Sequence, residues 1–280
     1  MRRPPTDGAT VGHGRPLAQA VRRHGPLGHV AGYVAALEAF DAIPGMQELK
    51  ALGRERGGVM PGRSLLDVGC GFGLETLRLA AVAGPAATVA GIDKSADFIA
   101  DAAAGAAAAG LKVDFRVGDA TALPWADASF DAVRAERLLI YLADWQAAVR
   151  EMRRVAKPGA GLAFIEPDFS TTTVNLPDRS AVRRALAHEA DTAVVESWLP
   201  GALLGCLEDL GLGGIEVATR VAIFPKDLGA TYFEAVGRHA AAAGALSAAE
   251  LDAWLAGIGD RHARGRLFGT VGYFLFTARA

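Results

Sequence analysis

Between Leu65 and Glu75 the chain reads LLDVGCGFGLE. An apolar run carries Asp67 and then gives way to Gly69, Gly71 and Gly73 at every second position. Glycine in an element interior is destabilising by roughly 0.5–1 kcal/mol relative to alanine. Three so close together predict a turn whose backbone another group approaches. Before it, Ser64 to Val68 is short and apolar enough for a buried strand. After it, Leu74, Leu77, Ala80 and Ala81 share one helical face, predicting a helix over Leu74 to Ala83.

The same rhythm repeats downstream. Strands are predicted at Thr88 to Ile92, Lys112 to Val117, Phe130 to Ala135 and Leu162 to Ile165. Helices are predicted at Ser95 to Ala109 and Trp145 to Ala156, with Pro158-Gly159 as the turn that follows. Strict alternation means right-handed βαβ units and a parallel sheet. After Asp168 the rhythm changes. Helices are expected at Val182 to Val195, Leu199 to Leu210, Thr231 to Ala243 and Ala248 to Ile258. Strands are expected at Ile215 to Phe224 and Leu267 to Thr277. Four regions follow: a flexible tail over 1–26, an N-terminal helical lid over 27–57, a core over 58–168, and over 169–280 the rest of the sheet with helices that roof a pocket. The lid reads as two short helices broken at Pro44-Gly45.

Composition narrows the function. With 51% hydrophobic and 21% charged residues the chain is a soluble globular protein. A net charge of -2 supplies no field for nucleic acid or an anionic membrane. The alanine-rich stretch Ala102 to Leu111 is too short to span a bilayer. Cys70 and Cys206 form no disulfide framework, which fits a reducing cytoplasm. The first 26 residues carry five arginines against Asp7 alone. Their prolines and glycines break the amphipathic helix that a transit peptide requires.

In a doubly wound sheet, ligands bind at the carboxyl ends of the strands. A glycine-rich turn there can present a phosphate to a helix N-terminus, but the dinucleotide fingerprint GxGxxG fails at Leu74. What stands instead is Asp67-Val68-Gly69-Cys70-Gly71-Phe72-Gly73, which resembles the first motif of class I S-adenosylmethionine-dependent methyltransferases. Gly91-Ile92-Asp93 resembles their second motif. Gly118-Asp119-Ala120, Leu123-Pro124-Trp125 and Ser129-Phe130-Asp131 resemble the third and fourth, and Arg153 to Gly159 the turn before the fifth strand. The resemblance runs in order from Pro61 to Asp168 and is nearest to the small-molecule menaquinone and ubiquinone branch. It implies a Rossmann-like α/β fold, a seven-stranded, mainly parallel sheet with helices on both faces and a helical cap over the C-terminal strand ends.

The family further implies S-adenosylmethionine as cofactor and S-adenosylhomocysteine as product. Gly69, Gly71 and Gly73 would let the backbone approach the cofactor. Asp67 would lie near its amine, Asp93 with neighbouring Lys94 at the ribose hydroxyls, and Asp119 with the Ala120 N–H at the adenine. Glu136 and Arg137 would lie near the meeting point of methyl donor and acceptor, and Tyr33 would close over the cofactor. Structural alternatives remain for several of these: Asp67 as a loop cap, Asp93 as a helix cap, Arg137 as an ion-pair partner, Tyr33 as core. No metal site is expected, and Cys70 reads as a small filler.

The histidines leave the core empty: none lies between Tyr33 and Ala187. An imidazole base must come from the N-terminal segment or the cap, with His29 and His188 as candidates; the third option is no base. The apolar cap residues, among them Trp198, Leu204 and Phe268, are expected mostly in the core, with a subset lining an apolar substrate chamber. The expected activity is methyl transfer to oxygen, nitrogen or carbon of a small, largely apolar or aromatic acceptor, in secondary metabolism. The expected partner is that small molecule, on a monomer or homodimer. Two alternatives share the scaffold: a cofactor-binding enzyme that catalyses cyclisation or decarboxylation, and a non-catalytic binding module.

Overall fold

The computed structural model describes residues 37–280. The expected tail over 1–26, His29, Tyr33 and the first part of the lid lie outside them. A helical turn at 37–41 leads into helix α1, Pro44–Arg56. Pro44 sits in its first turn, where its missing N–H leaves no hydrogen bond unmade. The helical break therefore falls just before Pro44.

The core then alternates as the sequence predicts. It runs β1 (Leu65–Val68), α2 (Leu74–Ala83), β2 (Val89–Asp93), α3 (Ala96–Ala109), β3 (Asp114–Val117), β4 (Phe130–Glu136), a short 3-10 turn (Leu139–Tyr141), α4 (Trp145–Val155) and β5 (Ala156–Val174). The second half adds α5 (Arg179–Thr192), α6 (Leu199–Asp209), β6 (Gly213–Ile223), α7 (Lys226–Ala242), α8 (Ala248–Ala263) and β7 (Gly269–Arg279). Ser247 and Glu250 close a reciprocal capping box at the start of α8.

The seven strands form one sheet in the order β3-β2-β1-β4-β5-β7-β6. β1 to β5 are parallel, and β7 runs antiparallel between β5 and β6. The chain leaves the central pair in opposite directions, β1 to β2 on one side and β4 to β5 on the other. The crevice above β1 and β4 is thus the switch point where an α/β sheet takes its ligand. One face is filled by a cluster including Leu139, Trp145, Met152, Phe164 and Leu203, under α4 and α6. The other holds Leu49, Ile165, Phe233, Trp254 and Leu275, under α1, α5, α7 and α8.

Two expectations are corrected. β5 spans 19 residues rather than Leu162 to Ile165 alone, and it starts at Ala156, so Pro158-Gly159 lies inside it. The cause is β7, which pairs with β5 from Gly161↔Arg279 to Val174↔Gly269. β4 leaves β5 at Glu136↔Ile165, so Pro167, which has no N–H to donate, sits where one side of the strand is already free. In the cap, Leu199, Leu203, Phe224, Phe233, Trp254 and Tyr273 are buried as expected, and the exceptions are Trp198, Leu204 and Phe268, which are exposed. The buried face of α6 is the i, i+4, i+8 row Leu199, Leu203 and Leu207, and Leu204 is turned off that row.

Candidate active site

A cavity of about 550 Å³ opens above the carboxyl ends of β1, β2 and β4. Its walls include Gly69, Cys70, Gly71 and Phe72 from the first turn, Asp93 and Lys94 after β2, Asp119 and Ala120 after β3, and Glu136, Arg137 and Leu138 after β4. Leu37 and Lys50 reach it from the N-terminal segment.

The three glycines do different work. All have positive φ, which an L side chain resists. A Cβ on Gly69 would come within 2.8 Å of Leu138, and one on Gly73 within 2.9 Å of Ala102 and 3.2 Å of Phe115. These two are bare so that the protein can pack on itself. Gly71 is different, because a Cβ there meets nothing within 4 Å and would project into open space on the cavity wall. Its N–H donates to the Asp93 carboxylate at 2.9 Å, while the other Asp93 oxygen accepts from the Ser95 N–H at 2.9 Å. Asp93 thus braces the glycine turn and the start of α3 together, at the cavity's edge. Asp119 is exposed, and Thr121 donates to one of its oxygens from both backbone and hydroxyl at 2.8 Å. Those bonds hold its carboxyl below the usual range, with Lys94 adding a smaller pull. Burial raises the Cys70 thiol far above its ordinary value, reinforced by Asp67 and Asp93, so it stays a protonated filler.

The cavity floor is charged. Asp67 is 2% exposed; one oxygen meets Arg134 at 2.9 Å and the other accepts from Thr76 at 2.6 Å. Burial raises its carboxyl in spite of the Arg134 charge. Arg134 also pairs with Glu136 at 2.7 Å, and Glu136 with Lys50 at 2.8 Å. Lys50 reaches Asp41 at 2.6 Å, and Asp41 meets Arg78 at 2.5 Å. Burial opposes ionisation of Glu136, yet Lys50, Arg134 and Arg137 hold it well below the carboxylate range. Lys50 and Arg134 were not visible as site residues from motif reading. The signal for Arg134 is a charge set within the apolar stretch Ala132 to Ala135 of the strand FDAVRAE.

Arg137 takes a left-handed φ of 48°, rare for a residue with a side chain. Glu166 explains how the turn holds: one of its oxygens accepts from the Leu138 and Leu139 N–H groups at 3.1 and 2.9 Å. Arg137 lines the cavity 3.8 Å from Glu136. His188 is half-buried on α5 and is not on the cavity wall; its neighbour Glu189 faces inward, 8% exposed. Among the described residues no cluster of histidine, cysteine and acidic side chains is arranged to hold a metal, and no helix is long and apolar enough to cross a membrane.

Comparison with known proteins places this geometry. Residues 65–159 match a family described as "Methyltransferase domain". A 37.1 kDa transposon-borne protein of Streptomyces fradiae is 31% identical over 79% of this chain and 63% of its own length. Methyltransferase GfsG of Streptomyces halstedii is 40% identical over 40% of each chain. The chain thus spans between two fifths and two thirds of the length of these relatives. Among solved structures, the cyclase SpnF is similar with a TM-score of 0.53 and 28% identity, covering 84% of this chain and 81% of its own. The YcgJ protein of Bacillus subtilis shares the fold with a TM-score of 0.59, at 18% identity over 83% of this chain and 97% of its own.

Proposed function

We propose that this chain, whose residues 65–159 match a methyltransferase domain, is a class I enzyme that moves a methyl group from S-adenosylmethionine to a small, largely apolar or aromatic acceptor, releasing S-adenosylhomocysteine. One observation carries the reading. At the switch point, Gly71 leaves an open cradle beside Asp93, where a Cβ would otherwise stand. The residues present fit the cofactor. Asp93 offers carboxylate oxygens at the end of β2 for the ribose hydroxyls. Asp119 and the backbone at Ala120 frame the place for an adenine. The carboxylates Asp67 and Glu136 and the cations Lys50 and Arg134 give the floor a fixed polar lining for the amino-acid end.

The cofactor supplies an electrophilic methyl on a sulfonium. This chain's contribution is to hold the acceptor in line with it and keep water away; such positioning is worth up to roughly 7–11 kcal/mol. Arg137 and Leu138, fixed by Glu166 through the turn, form the wall on the acceptor side. The acceptor atom is oxygen, nitrogen or carbon, and a place in secondary metabolism fits the Streptomyces relatives. The test is heat on titration with S-adenosylmethionine and S-adenosylhomocysteine, beside Asp93→Ala and with NADH as control. Binding of both, lost in Asp93→Ala and absent for NADH, supports the reading. A folded protein that binds neither overturns it.

A second reading has its own observation, the 28% identity to a cyclase over most of both chains. In it the cofactor stays bound and no methyl moves. Appearance of S-adenosylhomocysteine during turnover separates the two.

A further inference from the structure

Strands β4 and β5 separate after the pair Glu136↔Ile165. Beyond it the chain turns sharply, with Arg137 left-handed at a φ of 48°. A residue with a side chain stays in that conformation only where its surroundings fix it. Here two successive residues of β5 do so. The Ile165 carbonyl accepts from the Arg137 N–H at 2.9 Å. One oxygen of the Glu166 carboxylate accepts from the Leu138 N–H at 3.1 Å and from the Leu139 N–H at 2.9 Å. Three consecutive N–H groups of the turn are thus tied to β5, and the wholly buried Glu166 holds two of them with one atom.

Leu138 carries this anchorage to the other turn of the site. Its side chain lies against Gly69, where a Cβ would come within 2.8 Å of its Cδ1 and 3.0 Å of its Cβ and its Cδ2. Gly69 opens the glycine turn between β1 and α2. Its N–H and that of Cys70 both donate to the Ile92 carbonyl, at 2.8 and 3.0 Å. Gly69, Cys70, Arg137 and Leu138 all line the cavity, while Glu166 is not on its wall. A carboxylate on β5 therefore reaches the glycine turn through one leucine, whose backbone it holds and whose side chain the turn meets.

We propose that Glu166 is a positioning residue for the transfer: through Leu138 it fixes the spacing between the wall on the acceptor side and the glycine turn on the cofactor side. The inference rests on the methyl-transfer reading for what the two sides hold. An in-line displacement depends on that spacing, and a shift of about 1 Å caused by a change remote from the chemistry can cost on the order of a hundredfold in rate. An apolar side chain at 166 leaves two N–H groups unbonded, which a buried turn resists by shifting to find other partners. An amide at the same place keeps an oxygen for both.

The test compares Glu166→Leu with Glu166→Gln by amide hydrogen exchange on the ligand-free protein and by titration with S-adenosylhomocysteine. In Glu166→Leu, exchange should quicken by about tenfold or more at Leu138 and Leu139 and also at Gly69 and Cys70, while the amides of α8 keep the parent's rates. S-adenosylhomocysteine binding should weaken in step. Glu166→Gln should match the parent in both measurements, a rescue that loss of bulk or of fold would not give. Parent rates at Gly69 and Cys70 in Glu166→Leu, or an equal effect in Glu166→Gln, overturn the inference. Should Glu166→Leu fail to fold, Leu138→Ala decides: it removes the contact with Gly69, so it should quicken Gly69 and Cys70, and parent rates there overturn the inference. A parent that binds no S-adenosylhomocysteine overturns the methyl-transfer reading instead, while the exchange rates, read without ligand, still decide the coupling.

Discussion

Arg134 and Asp67 stand in register on the two central strands, and their side chains meet at 2.9 Å beneath the cavity. Arg134 carries a second carboxylate, Glu136, at 2.7 Å, so removing it leaves Asp67 without its cation and takes one of three from Glu136, while removing Asp67 leaves Arg134 paired with Glu136. Breaking a buried ion pair by deleting one partner costs about 3–5 kcal/mol. Arg134→Met is therefore expected to lose about that much unfolding free energy at neutral pH. Asp67→Asn should lose clearly less, because Arg134 keeps Glu136 and burial already works against the Asp67 charge. Urea unfolding of the two variants checks the order; equal losses would contradict it.

The glycine turn gives a prediction of a different kind. Gly71→Ala places its methyl in the open cradle at a φ of 53°, a strain of about 1–2 kcal/mol that the fold should survive. S-adenosylhomocysteine binding should weaken at least tenfold. Gly73→Ala drives its methyl into Ala102 and Phe115, so it should lower the melting temperature more than Gly71→Ala does. Calorimetric titration and thermal melting on the same samples separate a binding defect from a folding one.

That contrast also marks what could be read from the chain and what could not. The sheet was legible because its strands are short apolar runs at regular spacing, and the turn because glycines have no other reason to cluster. The motif does not reveal that Gly69 and Gly73 serve Leu138, Ala102 and Phe115, since those contacts join residues far apart in sequence. The charged floor was hidden for the same reason: Lys50 and Glu136 are 86 positions apart and meet only when α1 lies on the sheet. His188 is a candidate base in the sequence because the core holds no histidine and the cap must supply one. The helix turns it aside and presents Glu189, whose position depends on which face of α5 is buried. The length of β5 depended on a partner, β7, that arrives about a hundred residues later.

Lys50 is the link by which α1 is fastened to the cavity floor, at 2.6 Å from Asp41 and 2.8 Å from Glu136. Without Lys50, Asp41 keeps Arg78, and Glu136 keeps Arg134 with Arg137 at 3.8 Å. Lys50→Met should therefore cost about 3 kcal/mol, at the low end for a broken buried pair. The loss should be local. Amide hydrogen exchange is expected to quicken across Pro44–Arg56 while β1 and β4 keep their protection. Uniform loss over the sheet would show that Lys50 supports the whole fold instead.

Glu166 makes stability depend on pH. It is wholly buried, with one oxygen held by the Leu138 and Leu139 N–H groups and the other without a partner. Burial pushes its carboxyl up to about 8, with Glu136 adding to the rise and the two N–H groups and Arg137 opposing it. Below the ordinary glutamate value both folded and unfolded chains hold the proton, and the contribution is fully present. Between about 4.5 and 8 the unfolded chain releases the proton and the folded one keeps it. Stability from this group should then fall by up to about 1.4 kcal/mol per pH unit as pH rises through that window. Glu166→Gln keeps an oxygen for both N–H groups and cannot ionise. Its unfolding free energy should fall less steeply than the parent's from pH 5 to pH 8, so its advantage over the parent grows with pH. Parallel slopes for the two proteins would mean that Glu166 is already ionised in the folded chain and that its free oxygen has found a cation or water.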